Sequence, residues 1–177
     1  LEYNGVKLDV DFLNDYSKDL EVALVELQDA IYEQAGTEFN IGSPKQVGEV
    51  LFDHLKIPYR WRKTRTGQYS TDEAKMSELA KDNPIVNDIL RFRGLSKFKG
   101  TYVDALPKLT NPKTDRMHSS FNQALVATGR LSSNNPNLQN IPVRTAFSRQ
   151  IRQAFIPQDG WQLVAADYSQ IELRILA

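Results

Sequence analysis

Trp161 to Ala177 reads WQLVAADYSQIELRILA, and the fold is decided there. Trp161 to Ala166 is a short apolar run with the length and character of a buried strand. Asp167 follows at its C-terminal end. Ser169, with Glu172 three residues on, has the spacing of a capping box. Ile171, Leu173, Ile175 and Leu176 supply the apolar side chains a helix buries. The stretch therefore predicts strand, exposed acid, helix start. Such junctions hold anions and metals in many sheet-and-helix folds, because a fixed carboxylate offers a hard oxygen to Mg²⁺ while free N–H groups meet phosphate. The same spacing also fits a solvated turn at Asp167 and a Glu172 that does nothing but cap.

Upstream, Ile151 to Ile156 has the pattern of a second strand. Pro157-Gln158-Asp159-Gly160 has turn residues in turn positions, so 161–166 is expected to return antiparallel to it. Asp167 would then sit on a sheet beside residues 116–158, a window without a single Asp or Glu that carries Arg116, Arg130, Arg144, Arg149 and Arg152. The net charge of +0 hides this partition: residues 1–53 hold twelve acids against three Lys. Two further acid-free windows are basic, 54–71 (Lys56, Arg60, Arg62, Lys63, Arg65) and 89–103 (Arg91, Arg93, Lys97, Lys99). A basic window in a neutral protein is the footprint of a polyanion partner. For 54–71 alone the charges read as a plain solvated face, whereas the total lack of acids over 116–158 points to a phosphate-facing surface.

With 177 residues, 41% of them hydrophobic, the chain can bury one substantial core or two small ones. It has no cysteine and two isolated histidines, His54 and His118, which excludes disulfides and Cys- or His-based metal clusters. No apolar run is long enough to span a bilayer, and no secretory leader is present, so no membrane partner is expected. Leu1 without a Met, and a helical pattern still running at Ala177, read as an excised piece of a longer protein.

Residues 9–35 predict a long amphipathic helix, with Leu13, Tyr16, Leu20, Leu24, Leu27 and Ile31 at spacings of three and four and Gly36 as the stop. Ser43-Pro44-x-Gln46 opens a second helix with Val47, Val50, Leu51 and Leu55 inward. Ser70 with Glu73 opens a third, and Asn83-Pro84 a fourth that runs towards Leu95 and Tyr102. Residues 1–108 are thus read as helical. Beyond Asn111-Pro112 the character changes. Met117, Phe121 and Leu125 suggest a half-buried strand, followed by an amide-rich, acid-free loop at 128–142. Its Asn and Gln residues, with Arg130, offer donors and acceptors to base edges and sugars.

Three motifs in order carry a family resemblance. Asp167-Tyr168-Ser169-Gln170-Ile171-Glu172-Leu173-Arg174 resembles the first catalytic motif of the family A DNA polymerases (bacterial DNA polymerase I type). Thr128 to Ser133 (TGRLSS) and Asn135 to Pro142 (NPNLQNIP) resemble that family's upstream palm motif. Arg91 to Lys99 (RFRGLSKFK) resembles its thumb-to-palm helix. The likeness covers essentially the whole chain. It implies an α+β fold, with a helical thumb over 1–110 and the first part of the palm over 111–177, truncated before the fingers. It implies a bacterial, cytoplasmic and nucleoid-associated enzyme of replication and repair, with primer-template DNA and dNTPs as partners and Mg²⁺ as cofactor.

By the same resemblance Asp167 would ligate both metal ions of a two-metal site and the Tyr168 carbonyl one of them. Ser169, Gln170, Ile171 and Glu172 would bind the incoming nucleotide, with Glu172 discriminating against a ribose 2′-OH. Arg130 would reach the primer-terminal pair in the minor groove. Asn137, Gln139 and Asn140 would lie near primer and template, and Arg93, Lys97 and Arg144 would contact the duplex. The family's second metal-binding acid and its fingers helix lie downstream of these motifs, so the piece alone is expected to be inactive. Competing readings are a non-catalytic duplex-binding module, a single-subunit RNA polymerase (against which a bulky Glu172 argues), and a fragment that self-associates through uncovered residues such as Leu173 and Leu176.

Overall fold

A computed structural model of the chain describes residues 2–142 and 145–177. It is an α+β fold of helices with small antiparallel sheets. The chain divides into two units, one of residues 11–108 and one that joins residues 1–10 to 109–177.

The unit of residues 11–108 is helical because its apolar residues recur at helical spacing and its boundaries carry caps. Helix α1, Val10–Ala35, buries Leu13, Tyr16, Leu20, Leu24, Ile31 and Ala35 along one stripe. Gly36 takes a φ of +68°, the left-handed conformation that ends a helix at little cost for glycine, and its N–H donates to the Tyr32 carbonyl at 2.9 Å. Helix α2, Pro44–Gly48, starts at Ser43, whose Oγ accepts from the Gln46 N–H. The reciprocal half of the expected capping box is redirected: Gln46 Oε1 accepts from the Asn40 N–H at 2.7 Å. A π-helical stretch, Glu49–His54, continues α2.

Helix α3, Glu73–Leu79, is capped by Asp72 rather than Ser70. The Asp72 carboxylate takes the Lys75 N–H at 3.1 Å and pairs with the Lys75 ammonium at 2.6 Å; Ser70 instead donates to Asp72. A carboxylate is the stronger acceptor, and these donors hold its acid well below the usual range. Helix α4, Pro84–Phe98, starts after Asn83 as its Asn-Pro pair predicts, and a π-helical stretch, Lys99–Val103, extends it. Ile31, Ile41, Val47, Leu51, Met76, Val86 and Ile89 form the centre of this unit's core.

The second unit is built from short strands. Strand β1, Lys7–Leu8, pairs antiparallel with β6, Phe155–Ile156, with Leu8 opposite Phe155. Strand β2, Thr110–Asn111, pairs with β3, Arg116–Met117, and Val6 bridges to Met117. Strand β4, Ser120–Asn122, pairs with β5, Ser132–Asn134, placing Phe121 opposite Ser133. Short helices α5, Ala146–Gln150, and α6, Ile171–Leu176, complete it. Met117, Ile151 and Ala154 are fully buried.

Four sequence expectations are corrected here. Residues 7–8 are strand rather than helix, since they pair with β6. The strand foreseen over 117–125 breaks into β3 and β4, and Leu125 is exposed. Residues 151–154 form a 3-10 turn, leaving only Phe155 and Ile156 as strand. Lastly, 161–166 forms no strand: it has no regular structure, and Trp161, Leu163 and Val164 are exposed. An apolar run becomes a buried strand only where a neighbouring strand accepts its hydrogen bonds, and among the described residues 161–166 pairs with none.

Candidate catalytic and nucleic-acid interface

Asp167 and Tyr168 lie in the exposed segment that leads into α6. The predicted capping box at Ser169 is absent. The residue before α6 is Gln170, at a φ of +53°, and no side chain caps the helix. Ser169 contributes its carbonyl, which accepts from Arg174 Nε at 3.0 Å. Glu172, freed from capping, pairs with Arg130: Nη2 lies 3.2 Å from Oε1. This contact brings together two motifs separated by 42 positions in sequence. Both partners are largely exposed, so the pair contributes little to stability, on the order of 0–1 kcal/mol. Ile171 is exposed on the same short helix.

The amide-rich loop is more ordered by its own side chains than its composition indicates. Asn137 caps a single 3-10 turn, Leu138–Asn140, by accepting from the Gln139 N–H at 3.0 Å. Gln139 reaches back along the loop, accepting from the Ser133 N–H at 3.1 Å and donating to the Leu131 carbonyl at 2.8 Å. Beneath it, Ser119 and Ser133 are buried with their hydroxyls 3.1 Å apart, and Ser119 donates to the Pro136 carbonyl at 2.7 Å. Asn140 lies at the end of the turn, exposed. Neither serine was singled out in the sequence; the apolar–polar pattern gives no sign that these hydroxyls turn inward.

Among the basic residues, Arg116 does not join a solvent-facing patch: its guanidinium donates to the Asn4 carbonyl at 2.8 Å and to Gln158 Oε1 at 3.2 Å. Arg149 and Arg152 are exposed. Arg144 lies outside the described residues.

In the other unit, Lys97 is exposed on α4, whereas Arg93 is half-buried. Arg93 Nη1 donates to the Thr71 carbonyl at 2.9 Å and Nε to the Ile41 carbonyl at 3.3 Å, so this guanidinium ties two loops to α4. Burial lowers its pKa, but a guanidinium remains charged. The basic window at 54–71, for which the sequence offered a plain solvated face, has a built base. Phe52, Tyr59, Trp61 and Tyr69 pack with ring centroids 4.7–5.5 Å apart, and Lys63 Nζ sits 3.8 Å from the Tyr69 ring centroid. A turn closed by Thr64 N–H to the Gln68 carbonyl, 2.8 Å, carries Arg65 at its tip.

For a divalent metal the donors present are hard oxygens, the Asp167 carboxylate and the Tyr168 carbonyl, which suit magnesium in kind. They do not make a closed site: among the described residues no group of three or more His, Cys, Asp or Glu is placed to hold an ion. Nor, among them, is any helix long and apolar enough to cross a membrane.

The comparisons with known proteins agree with one another. The model of DNA polymerase family A matches residues 10–177. Across its whole length the chain is 56% identical to a DNA polymerase I of Synechocystis sp. and 49% identical to a thermostable DNA polymerase I of Thermus thermophilus. It spans 18% and 21% of those relatives, about a fifth of their length. Among solved structures, the POL domain of Pol1 from M. smegmatis, in complex with DNA primer-template and dNTP, superposes with a TM-score of 0.80 at 39% identity. The match covers 97% of this chain and 30% of that one. With its three motifs, its α+β fold and a family match over nearly every residue, the chain belongs to DNA polymerase family A.

Proposed function

We propose that this chain is the thumb and the first part of the palm of a DNA-directed DNA polymerase, which extends a primer by nucleotidyl transfer from dNTPs. The observation that carries the reading is the Arg130–Glu172 contact at 3.2 Å, which sets the loop assigned to the primer terminus against the residue assigned to the nucleotide sugar. In this reading residues 11–108 grip the duplex, with Lys97 and the Arg60–Arg65 turn against phosphates, and residues 109–177 carry the chemistry.

Asp167 and the Tyr168 carbonyl are the ligands this chain would offer to Mg²⁺, which when bound activates the attacking hydroxyl and neutralises the leaving phosphate. Ser169, Gln170 and Ile171 line the nucleotide's phosphates and sugar, and the bulk of Glu172 disfavours a 2′-OH. Arg130 donates to the acceptors that every base pair presents in the minor groove, so it tests pair shape without reading sequence. Asn137 and Asn140 lie near primer and template. Arg93 holds the loops at Ile41 and Thr71.

One carboxylate is too few for two-metal transfer, so the 177-residue chain alone is a non-catalytic part of the enzyme. The test is primer extension by the full-length polymerase with and without Asp167→Asn. Extension should fall to the level of a control without enzyme, while duplex binding measured in parallel persists. Undiminished extension by the Asn variant would overturn the catalytic assignment, and extension by the isolated chain would overturn its reading as non-catalytic.

A further inference from the structure

Arg130 has an exposed side chain, its guanidinium 3.2 Å from the Glu172 carboxylate, and the backbone that follows it is tethered. That backbone is held at two points, Leu131 and Ser133, by one side chain from across the loop. Gln139 donates to the Leu131 carbonyl at 2.8 Å and accepts from the Ser133 N–H at 3.1 Å, so its amide straddles Ser132 as a ladder partner would. Gln139 is itself held, its N–H donating to Asn137 Oδ1 at 3.0 Å. Beneath, the Leu138 N–H donates to Ser133 Oγ at 2.9 Å, and the loop is closed on itself from 131 to 139.

We propose that Gln139 is a positioning residue for Arg130: it fixes the backbone after Arg130 so that the guanidinium is presented to the duplex before any duplex is there. This rests on reading Arg130 as the minor-groove contact. The resemblance puts Gln139 beside primer and template in its own right. The geometry assigns it an indirect part, because a donor and an acceptor of its amide are both engaged within the loop. A primary amide suits the task, since it carries both groups on one rigid plane and matches a peptide unit. A loop pinned in advance binds without the entropic cost of ordering on contact.

The experiment uses the 177-residue chain with Gln139→Met, which keeps the length of the side chain and removes both hydrogen-bonding groups; Gln139 is exposed, so the fold tolerates it. In the DNA-free protein, amide hydrogen exchange at Ser133 should quicken by about tenfold while the core amide of Val86 is unchanged. Binding to a fluorescent primer–template duplex should weaken by about tenfold in Gln139→Met, roughly the loss of one to two net hydrogen bonds. Added to Arg130→Ala, the Met substitution should cause no further loss. Losses that multiply in the double variant would mean Gln139 touches DNA independently and would overturn the proposal, as would unchanged exchange at Ser133. Absence of any duplex binding by the parent chain would instead count against the reading of Arg130, leaving the exchange measurement to decide the anchoring.

Discussion

Replacing Arg93 by Ala separates two roles that the sequence does not distinguish. Position 93 lies in the motif that resembles the thumb-to-palm helix, where an arginine is expected to face DNA. The structure turns its guanidinium inward, to the Thr71 carbonyl at 2.9 Å and, less closely, the Ile41 carbonyl at 3.3 Å. Thr71 is 7% exposed, so truncation strands a buried carbonyl. A hydrogen bond from a charged donor contributes about 1.5–3 kcal/mol, and the longer second bond adds less, giving a cost of about 3 kcal/mol. With a urea slope of about 2 kcal/mol/M, the unfolding midpoint should fall by about 1.5 M, read by far-ultraviolet circular dichroism. Arg93→Lys should recover only part of this, because one ammonium cannot reach both carbonyls in the guanidinium's forked geometry. Lys97→Ala, one helical turn on and exposed, should leave the midpoint where it was. A midpoint shift below about 0.3 M for Arg93→Ala would show that these bonds are not made in solution and that the guanidinium is free to meet a phosphate.

Two other outcomes follow from the same unit. Asp104 takes a hydrogen bond from Ser17 at 2.7 Å and pairs with Lys99 at 3.0 Å. Burial acts to raise its pKa, but the Ser17 hydroxyl and the Lys99 ammonium outweigh it and hold the carboxyl below the usual range. A depressed carboxyl stabilises the fold above its unfolded pKa and loses that contribution as pH falls through its folded pKa. Asp104→Asn should therefore cost stability at pH 7 and flatten the decline below about pH 4, measured as urea midpoints against pH; an unchanged acid limb would refute this. Leu51→Ala, at a fully buried position in the core, should cost about 3–4 kcal/mol in urea unfolding. A loss below about 1 kcal/mol would mean that the core around it is not packed as described.

The helices were legible because their causes are local. The stripe on α1, the Ser43-Pro44 and Asn83-Pro84 starts, and the stop at Gly36 depend on residues within a turn of one another. The misreadings have the opposite character. Asp72 displaced Ser70 as the cap of α3 through competition between two acceptors two positions apart. The run from Trp161 to Ala166 has the composition of a strand, but a strand needs a partner edge, and composition does not say whether one lies beside it. Motif order nominated the candidate site residues as a set. It could not say that Glu172 would leave its helix start for Arg130, nor that Arg93 and Gln139 would turn to the protein's own backbone.

By itself, then, the sequence determined the helical first part, the segregation of charge and the family, since periodicity, caps and contiguous motifs are written in neighbouring residues. Only the tertiary structure decided which polar side chains are available to a ligand. Arg93 and Arg116 look in sequence like Lys97. They differ from it in that a carbonyl from a distant segment, of Thr71 for one and Asn4 for the other, lies within about 3 Å of the guanidinium, the range over which a hydrogen bond forms, and no local pattern encodes that distance.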